Sequence, residues 1–406
     1  MIDVAIAGGG PSGMAAALEI KKRAPELKVV ILEKNEAVGR KLRATGNGRC
    51  NIANTESEGY ALVSDFLMRE GIAFRVYENG LVYPFSESAA DVTDRLEERL
   101  KESGVMVKTG YEVKTVERVQ KCFVINGRLE SRCLVLALGG KAGPAFGTIG
   151  DGYRLARKLG HSVITPVPIL TPVEIDGFEV KGLNGIRARG KVSLIRKGET
   201  VYCESGEIQF TKYGLSGICI FNMTRHMRYD KEEGLSCFRI RIDLDPERML
   251  DAFVKDEIRR VRENGESLKA DEERKTAKPY EAAEALLRTA FRPALSREIM
   301  RQAGIPEDIT AEDLYDEASE SIVSSFRALE FTPSGIKGWK DAQCTMGGVS
   351  LEEVDADTSE SRLIDGLYIT GELLDYDGPC GGYNLANAWL TGIKAGKAIA
   401  DDALQN

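Results

Sequence analysis

Three glycines near the start of the chain have the spacing of a phosphate-binding turn. An apolar run at residues 3–7 leads into Gly8, Gly10 and Gly13, which follow a G-x-G-x-x-G pattern, and a helical stretch comes next. The first glycine permits the tight turn, the second lets the backbone approach a pyrophosphate, and the third lets the helix pack closely on the sheet. The pattern therefore predicts a site for a dinucleotide.

An acidic residue completes this pattern. A second apolar run ends at Glu33, which follows Gly13 by 20 residues. A carboxylate at that place accepts hydrogen bonds from the ribose hydroxyls of adenosine. The helix begins near Pro11 and Ser12, where its positive end would face the phosphates. We therefore predict a βαβ unit with Pro11, Ser12, Glu33 and Lys34 at the cofactor.

A loop of cations and glycines at residues 40–51 follows the ribose-binding acid. Arg40 or Lys41 is suited to neutralise the charge of a pyrophosphate, because charge-assisted hydrogen bonds to phosphate are strong. We expect the backbone around Asn47 and Gly48 to lie along the isoalloxazine ring of a flavin. The alternative is a solvated basic loop.

Three further side chains are candidates for catalysis. Arg49 is suited to orient an anionic substrate or, at the cofactor, to favour the reduced flavin. Tyr383 is suited to cover the flavin or donate a proton there. Cys50 would be a redox or nucleophilic thiol, although a flavin–disulfide enzyme needs a partner cysteine close in sequence and none occurs. Only two histidines occur, which argues against a metal site and against a Ser–His–Asp triad.

Three features favour FAD over NAD as the dinucleotide. Short strand-like runs at 105–109, 111–119 and 121–125 precede an apolar strand and predict a β-meander. Gly371 and Glu372 follow another short strand, where an acid can bind a ribitol hydroxyl that NAD lacks. A helix opening at Gly381–Asn384 would present its positive end to the flavin edge that gains negative charge on reduction. A plain NAD dehydrogenase remains the alternative.

The predicted fold class is α/β. It consists of a Rossmann-like FAD-binding domain with a β-meander, interrupted by a β-rich insert and a helical cap. The cap is predicted to start after Asp245, because Asp-Pro has the form of a helix start. The predicted bounds are 1–160 and 335–406 for the discontinuous FAD-binding domain, 161–245 and 326–334 for the β-rich insert, and 246–325 for the cap.

Composition limits the partners and the compartment. The net charge of −8 and the pI of about 5.3 argue against a nucleic-acid partner. No apolar run approaches the roughly 20 residues that span a bilayer, and a strand at residue 2 leaves no room for a signal peptide. We therefore predict a cytoplasmic protein that binds a small-molecule substrate in the cleft between its domains.

The motifs together resemble one protein family. Besides Gly8–Gly13, they are Gly46–Asn51, Gly147–Tyr153, Phe210–Gly217, Gly347–Val349, Gly371–Asp375 and Gly381–Leu385. In this order they closely resemble the BaiN/YhiN-type flavoprotein family, which includes aminoacetone oxidases. The resemblance spans nearly the whole chain and implies a non-covalent FAD protein with a Rossmann-like domain, a β-rich insert and a helical cap.

The resemblance also implies residue roles. Those expected at the adenosine and pyrophosphate are Gly8, Gly10, Gly13, Glu33, Lys41 and Gly139. Val113 matches the strand whose backbone contacts adenine, and Glu372, Asn384 and Leu385 are expected beside the ribitol and flavin.

The sequence thus predicts an FAD-dependent oxidoreductase that transfers hydride through the flavin N5. In the first interpretation, NAD(P)H binds transiently and reduces the flavin, which reduces an activated C=C bond in an apolar, steroid-like substrate. In the second, a small amine such as aminoacetone is oxidised at the expense of oxygen. A non-catalytic flavin redox sensor or RNA-modification factor is a third alternative.

Overall fold

The computed structural model describes residues 1–175, 182–228, 234–267, 284, 286–309 and 316–405. The chain divides into two compact units, Met1–Ile169 with Gly338–Asn406, and Leu170–Lys337. The further division of the second unit into a β-rich insert and a helical cap stays a prediction. None of the helices among the described residues is long and apolar enough to cross a membrane.

The strands of the described residues are, in chain order, β1 (Ile2–Ala7), β2 (Val29–Leu32), β3 (Ala53–Asn54), β4 (Phe74–Val76), β5 (Leu81–Pro84), β6 (Met106–Lys108), β7 (Val116–Val119), β8 (Cys122–Ile125), β9 (Leu129–Leu136), β10 (Val167–Ile169), β11 (Val173–Ile175), β12 (Arg187–Arg196), β13 (Glu199–Phe210), β14 (Gly214–Ser216), β15 (Phe238–Asp243), β16 (Leu329–Phe331), β17 (Pro333–Ile336), β18 (Cys344–Met346) and β19 (Leu367–Ile369).

The α-helices for which the structure gives bounds are α1 (Pro11–Arg23), α2 (Tyr60–Arg69), α3 (Ala89–Glu102), α4 (Asp151–Lys158), α5 (Ile218–Thr224), α6 (Leu250–Ser267), α7 (Pro293–Gln302), α8 (Asp316–Arg327) and α9 (Tyr383–Gln405).

A parallel sheet in the first unit confirms the predicted Rossmann-like α/β fold. Strands β6, β2, β1, β9 and β19 pair in that order and all run parallel. The second half of β9 pairs with β19, whereas its start pairs with β8 in an antiparallel hairpin. Asn126 and Gly127 turn this hairpin with φ of 51° and 64°, as an Asn-Gly pair favours.

The predicted β-meander is smaller than expected. Its first predicted run, residues 105–109, is wrong as a meander strand, because β6 adds to the parallel sheet beside β2. Only β7 and β8 form antiparallel additions to β9. The sequence pattern did not distinguish these cases, since a three-residue strand has no periodicity long enough to reveal its partner.

Close packing of the first and last helices joins the two ends of the first unit. A Cβ at Gly392 would collide with the carbonyl oxygen of Ser12, and one at Gly396 would lie 2.6 Å from that of Ala16. Both glycines lie on one face of α9, four residues apart. Their missing side chains let α9 approach α1 closely, so the start of α9 is brought to the end of the sheet where the glycine-rich turn lies.

The second unit contains an antiparallel sheet with strand order β16-β15-β12-β13-β14-β11-β17. Buried apolar residues of β12, β13 and β15 pack against α5, α6, α7 and α8 in one core. The helix predicted to start at Pro246 begins at Leu250 instead. The Asp245 carboxylate still accepts hydrogen bonds from the N–H groups of Met249 and Leu250, at 2.8 and 3.2 Å.

Candidate functional site

The glycine-rich turn joins β1 to α1 as predicted. Gly8 has a φ of +109°, a conformation that favours glycine. A Cβ at Gly8 would collide with the carbonyl oxygen of Ala137, which directly follows β9, and one at Gly13 would collide with the carbonyl oxygen of Gly8. Both glycines are therefore required by the close packing of the turn itself.

Gly10 is different, because its missing side chain leaves open space. Its backbone is extended, with φ −80° and ψ −176°, so packing and conformation do not demand glycine there. A Cβ at Gly10 would meet no atom of the described residues within 4 Å. Space beside an open backbone at the positive end of α1 fits the close approach of a pyrophosphate.

Glu33 is fixed at the end of β2 by hydrogen bonds to both carboxylate oxygens. Gly9 N–H donates to Oε2 at 2.8 Å, and the backbone and side-chain N–H groups of Asn35 donate to Oε1 at 2.8 and 2.7 Å. Glu33 is 8% exposed. Since each carboxylate oxygen has two lone pairs, it can still accept hydrogen bonds from ribose hydroxyls.

Val113 lies near Glu33 but not in a strand. The segment after β6 returns to this acid through a hydrogen bond from Tyr111 N–H to the Glu33 carbonyl at 2.8 Å. Val113 precedes β7, so the expectation that it belongs to a strand is wrong. Its backbone N–H and C=O make no hydrogen bond with a described residue, which leaves them available to an adenine ring.

Lys41 and Glu372 form an ion pair, with Nζ 2.6 Å from Oε2. The other carboxylate oxygen of Glu372 accepts from Thr345 N–H at 2.9 Å. Gly139 has a φ of +71° and precedes Gly140, where a Cβ would lie 2.8 Å from Glu372 Oε1. The residues expected at the pyrophosphate and those expected at the ribitol are thus in direct contact.

The segment before Glu372 is joined to the start of α1. Thr370 Oγ1 donates to Ser12 Oγ at 3.2 Å, and a Cβ at Gly371 would lie 2.7 Å from the same oxygen. Ser12 is only 5% exposed. Its hydroxyl therefore holds the two segments together, and cofactor binding by its backbone stays a prediction.

Two predicted cations lie at the rim of this region. Lys34 forms an ion pair with Asp151 at 2.5 Å. Arg40 donates to the side-chain oxygen of Asn35 at 3.2 Å, so it supports the residue that orients Glu33.

The loop predicted to lie along the flavin is exposed at its tip. Asn47 and Gly48 have φ of 54° and 85°, and both side-chain positions face solvent. The Arg49 side chain is 59% exposed. Its guanidinium lies 3.6 Å from Glu87 and 5.2 Å from the ring centroid of Tyr83. Arg49 is therefore accessible to an anionic ligand.

Cys50 is buried, in contrast to its neighbours. It is 0% exposed, and burial raises the pKa of its thiol to about 11. The thiolate is the nucleophilic form of cysteine. A buried and protonated thiol does not suit the predicted redox or nucleophilic role.

The turn before α9 is fixed by its own side chains. Asn384 accepts from Gly378 N–H and donates to the Gly378 carbonyl, both at 2.8 Å. Leu385 packs against the core of the first unit. Tyr383 donates to Glu56 Oε2 at 3.1 Å, and burial together with this carboxylate raises the pKa of Tyr383. The phenol therefore keeps its proton at neutral pH.

His161 lies between a serine and a carboxylate, an arrangement that the sequence argued against. Its Nδ1 is 3.0 Å from Glu353 Oε2 and its Nε2 is 2.9 Å from Ser361 Oγ. Ser361 Oγ also accepts from the N–H groups of Leu363 and Ile364, at 3.1 and 3.0 Å, and the residue is 6% exposed. The serine oxygen is buried and already occupied, so this cluster stabilises a turn and does not supply a nucleophile.

Sequence reasoning missed Asn35 and Thr345. Asn35 follows Glu33 by two residues, and an Asn beside a functional acid is a local signal that could have identified it. The Thr345 hydroxyl accepts from the N–H groups of Lys141 and Ala142, at 2.8 and 3.0 Å. No local pattern identifies Thr345, because its partners lie about two hundred residues away along the chain.

Comparison with known proteins gives a family match over most of the chain. The model of the HI0933-like protein Rossmann domain matches residues 2–66 and 60–398. A 3-dehydro-bile acid delta(4,6)-reductase of Clostridium scindens is 34% identical, over 98% of this chain and 99% of the relative. A ribosomal RNA dihydrouridine synthase of Haemophilus influenzae is 26% identical, over 97% of this chain and 98% of the relative.

Among solved structures, a 3-ketosteroid delta1-dehydrogenase of Sterolibacterium denitrificans aligns with 98% of this chain and 99% of its own, at a TM-score of 0.48 and 13% identity. The family match confirms the resemblance to the BaiN/YhiN-type flavoproteins. The predicted enzyme class, an FAD-dependent oxidoreductase, is also confirmed.

Proposed function

Because the chain belongs to the HI0933-like protein Rossmann domain family, we propose that it uses NAD(P)H to reduce a C=C bond conjugated to a carbonyl in an apolar, steroid-like substrate. The substrate class is supported by the reductase of Clostridium scindens, whose name states a bile acid and a reduction. The binding of FAD at the glycine-rich turn is supported by one observation. A Cβ at Gly10 would meet open space, whereas packing requires glycine at Gly8 and Gly13 on either side.

The chain's own residues have distinct parts in holding FAD. The start of α1 and Lys41 bind the pyrophosphate, while Glu33 accepts from the ribose of adenosine. Glu372 accepts from a ribitol hydroxyl, with its orientation set by Thr345 N–H at 2.9 Å. When bound, FAD supplies hydride transfer through its N5.

Two side chains act on the substrate in this proposal. Reduction of a conjugated C=C bond adds one hydride and one proton, and NAD(P)H is oxidised to NAD(P)⁺. Tyr383 Oη donates the proton to the substrate, since its raised pKa keeps the phenol protonated at neutral pH. The exposed guanidinium of Arg49 binds an anionic group of the substrate. Cys50 takes no part in the proposed reaction.

Anaerobic mixing of the purified yellow protein with NADH or NADPH tests the proposal. We expect one nicotinamide to bleach the flavin absorbance and a steroid 4-en-3-one to restore it, with the saturated ketone identified by mass spectrometry. Protein that cannot be reconstituted with FAD contradicts the proposal. Peroxide release with a small amine, without bleaching by either nicotinamide, contradicts it too and favours the amine-oxidising alternative.

A second candidate substrate is ribosomal RNA, because the relative of Haemophilus influenzae is named a dihydrouridine synthase. Reduction of uridine to dihydrouridine also saturates a C=C bond conjugated to a carbonyl, so the same chemistry applies. The expectation that no nucleic acid is a partner therefore stays a prediction. Incubation of unmodified ribosomal RNA with the enzyme and NADPH, followed by analysis of its nucleosides, distinguishes the two substrates.

A further inference from the structure

A groove in the second unit is lined by apolar side chains and four arginines. It has a volume of about 530 Å³, and its lining includes Arg187, Arg189, Arg288, Arg292, Phe291 and Leu295. This volume lies in the range of small-molecule sites, roughly 300–1,000 Å³. Its lining differs from that of an ordinary ligand pocket in the number of positive charges.

The groove lies beside the first residues of β12, which precede the pairing of this strand with β15. Strand β15 pairs with β12 only from Lys191 to Arg196, whereas β13 pairs with β12 along its whole length. Residues 187–190 of β12 therefore have no strand partner on the β15 side among the described residues. Arg187 and Arg189 line the groove from this part of β12, and residues of the turn before α7 also line it.

Three of the four arginines of the groove have no charged partner within the described part of the chain. Arg187 is 3.3 Å from Glu207, in a pair whose side chains are 63% and 52% exposed. Arg189, Arg288 and Arg292 form no ion pair and no hydrogen bond through their side chains with any residue of the described ranges.

The carboxylates next to the groove in the chain are engaged elsewhere. Asp243 pairs with Arg248 at 2.7 Å, and Asp245 pairs with Arg327 at 3.2 Å while accepting two backbone N–H groups. Among the residues that the structure describes, these carboxylates therefore do not neutralise the guanidinium groups of Arg189, Arg288 and Arg292.

A helix terminus adds to the positive potential. Arg292 precedes the first residue of α7, Pro293, and the first turn of this ten-residue helix holds no acidic residue. A cation at a helix N-terminus is unfavourable, because the helix dipole places a partial positive charge there. An anion in the groove would relieve both this interaction and the mutual repulsion of the arginines.

We propose that this groove binds the phosphate groups of a nucleotide, with its base or another flat ring against Phe291. Guanidinium groups bind phosphate oxygens in pairs of hydrogen bonds, and several cations match a ligand with more than one negative charge. Phe291 is partly buried, with its ring centroid 5.6 Å from that of Phe326, so it is held as a wall on which a base can stack. The choice of NADPH as a probe rests on the proposed function.

Calorimetric titration of the FAD-loaded full chain with NADPH, ADP and inorganic phosphate tests the site. We expect the double variant Arg189→Gln/Arg292→Gln to bind NADPH and ADP at least about tenfold more weakly, as loss of charge-assisted hydrogen bonds implies. The control is Lys191→Gln, which removes an exposed positive charge from the same strand outside the groove. Unchanged circular dichroism and thermal midpoints establish that the variants fold.

Several outcomes overturn the groove assignment. The first is an equal affinity of wild type and double variant for NADPH and ADP, and the second is no binding of either nucleotide to wild type. The third is an affinity for inorganic phosphate equal to that for the nucleotides. The fourth is an RNA oligonucleotide that binds through the same arginines and resists displacement by ADP.

Flavin reduction by NADPH is measured in parallel. Reduction that persists unchanged in a double variant with unchanged NADPH affinity rejects the groove but leaves the proposed function. ADP binding that depends on the arginines, without flavin reduction by either nicotinamide, rejects the function but leaves the groove.

Discussion

Lys41 Nζ lies 2.6 Å from Glu372 Oε2, although 331 residues separate them in the chain. Their side chains are 26% and 18% exposed, so the pair is accessible from one side. The contact joins the residue predicted at the pyrophosphate to the residue predicted at the ribitol. A ligand that carries both groups can therefore engage the two side chains together.

Replacement of Lys41 by methionine tests this arrangement. We expect the Kd for FAD to rise by about tenfold or more, because a charge-assisted hydrogen bond to phosphate contributes roughly 1.5–3 kcal/mol. The affinity of apoprotein for FAD is measured by quenching of flavin fluorescence. Lys101→Met, at a side chain that is 71% exposed, is the matched control. An unchanged Kd in Lys41→Met would exclude the lysine from the cofactor site.

Gly10→Ala and Gly13→Ala form a second, paired test. Alanine at Gly10 has room and an ordinary extended backbone, so we expect stability within about 0.5 kcal/mol of wild type but a loss of FAD affinity. Alanine at Gly13 collides with the Gly8 carbonyl, so we expect destabilisation of roughly 1–3 kcal/mol. Urea unfolding of apoprotein and FAD titration separate the effects. Tight FAD binding by Gly10→Ala contradicts the cofactor site.

The βαβ unit was predictable because all of its signals are local. The turn glycines, the apolar strands and Glu33 lie within the first 33 residues, where spacing alone determines which side chains meet. The Asn126–Gly127 hairpin was predictable for the same reason, since a two-residue turn fixes the pairing of its strands.

Contacts between distant segments were not predictable. Nothing in the spacing of Lys41, Thr345 and Glu372 indicates that they meet, because the packing of the strands and of α9 against α1 brings them together. The prediction that β6 belongs to the β-meander was wrong for a related reason. The strand pairs with β2 in the parallel sheet, because tertiary packing and not its own sequence pattern decides which sheet a short strand joins. The burial of Cys50 was also not predictable, because the polar residues around it in the loop are typical of an exposed segment.

Cys50 provides a third prediction. With a pKa of about 11, only about one thiol in a thousand is ionised at pH 8, and burial adds a steric barrier. We expect iodoacetamide to modify the exposed Cys203 well before Cys50 in the native protein, as followed by peptide mass spectrometry. We also expect Cys50→Ala to keep turnover within about twofold of wild type. A large loss of turnover with unchanged FAD content would restore the thiol to the mechanism.

His161 provides the last prediction, which concerns stability and pH. Burial lowers the pKa of His161 below its usual 6.5, although the nearby Glu353 carboxylate opposes this shift. The folded state therefore releases the proton that the unfolded state binds, so the free energy of unfolding falls as the pH decreases below 6.5 and levels off below the folded pKa. Above pH 6.5 both states are neutral at this side chain and its contribution is constant.

We expect the difference in urea midpoint between wild type and His161→Gln to shrink as the pH is lowered from 7.5 to 5.5, because only wild type carries this titration. Loss of the hydrogen bonds to Glu353 and Ser361 lowers the stability of His161→Gln by an amount that does not depend on pH. Comparing how the urea midpoints of the two proteins change with pH therefore isolates the titration of His161. A difference that grows toward low pH would mean that His161 is charged in the folded protein, with an ion pair to Glu353 that outweighs its burial.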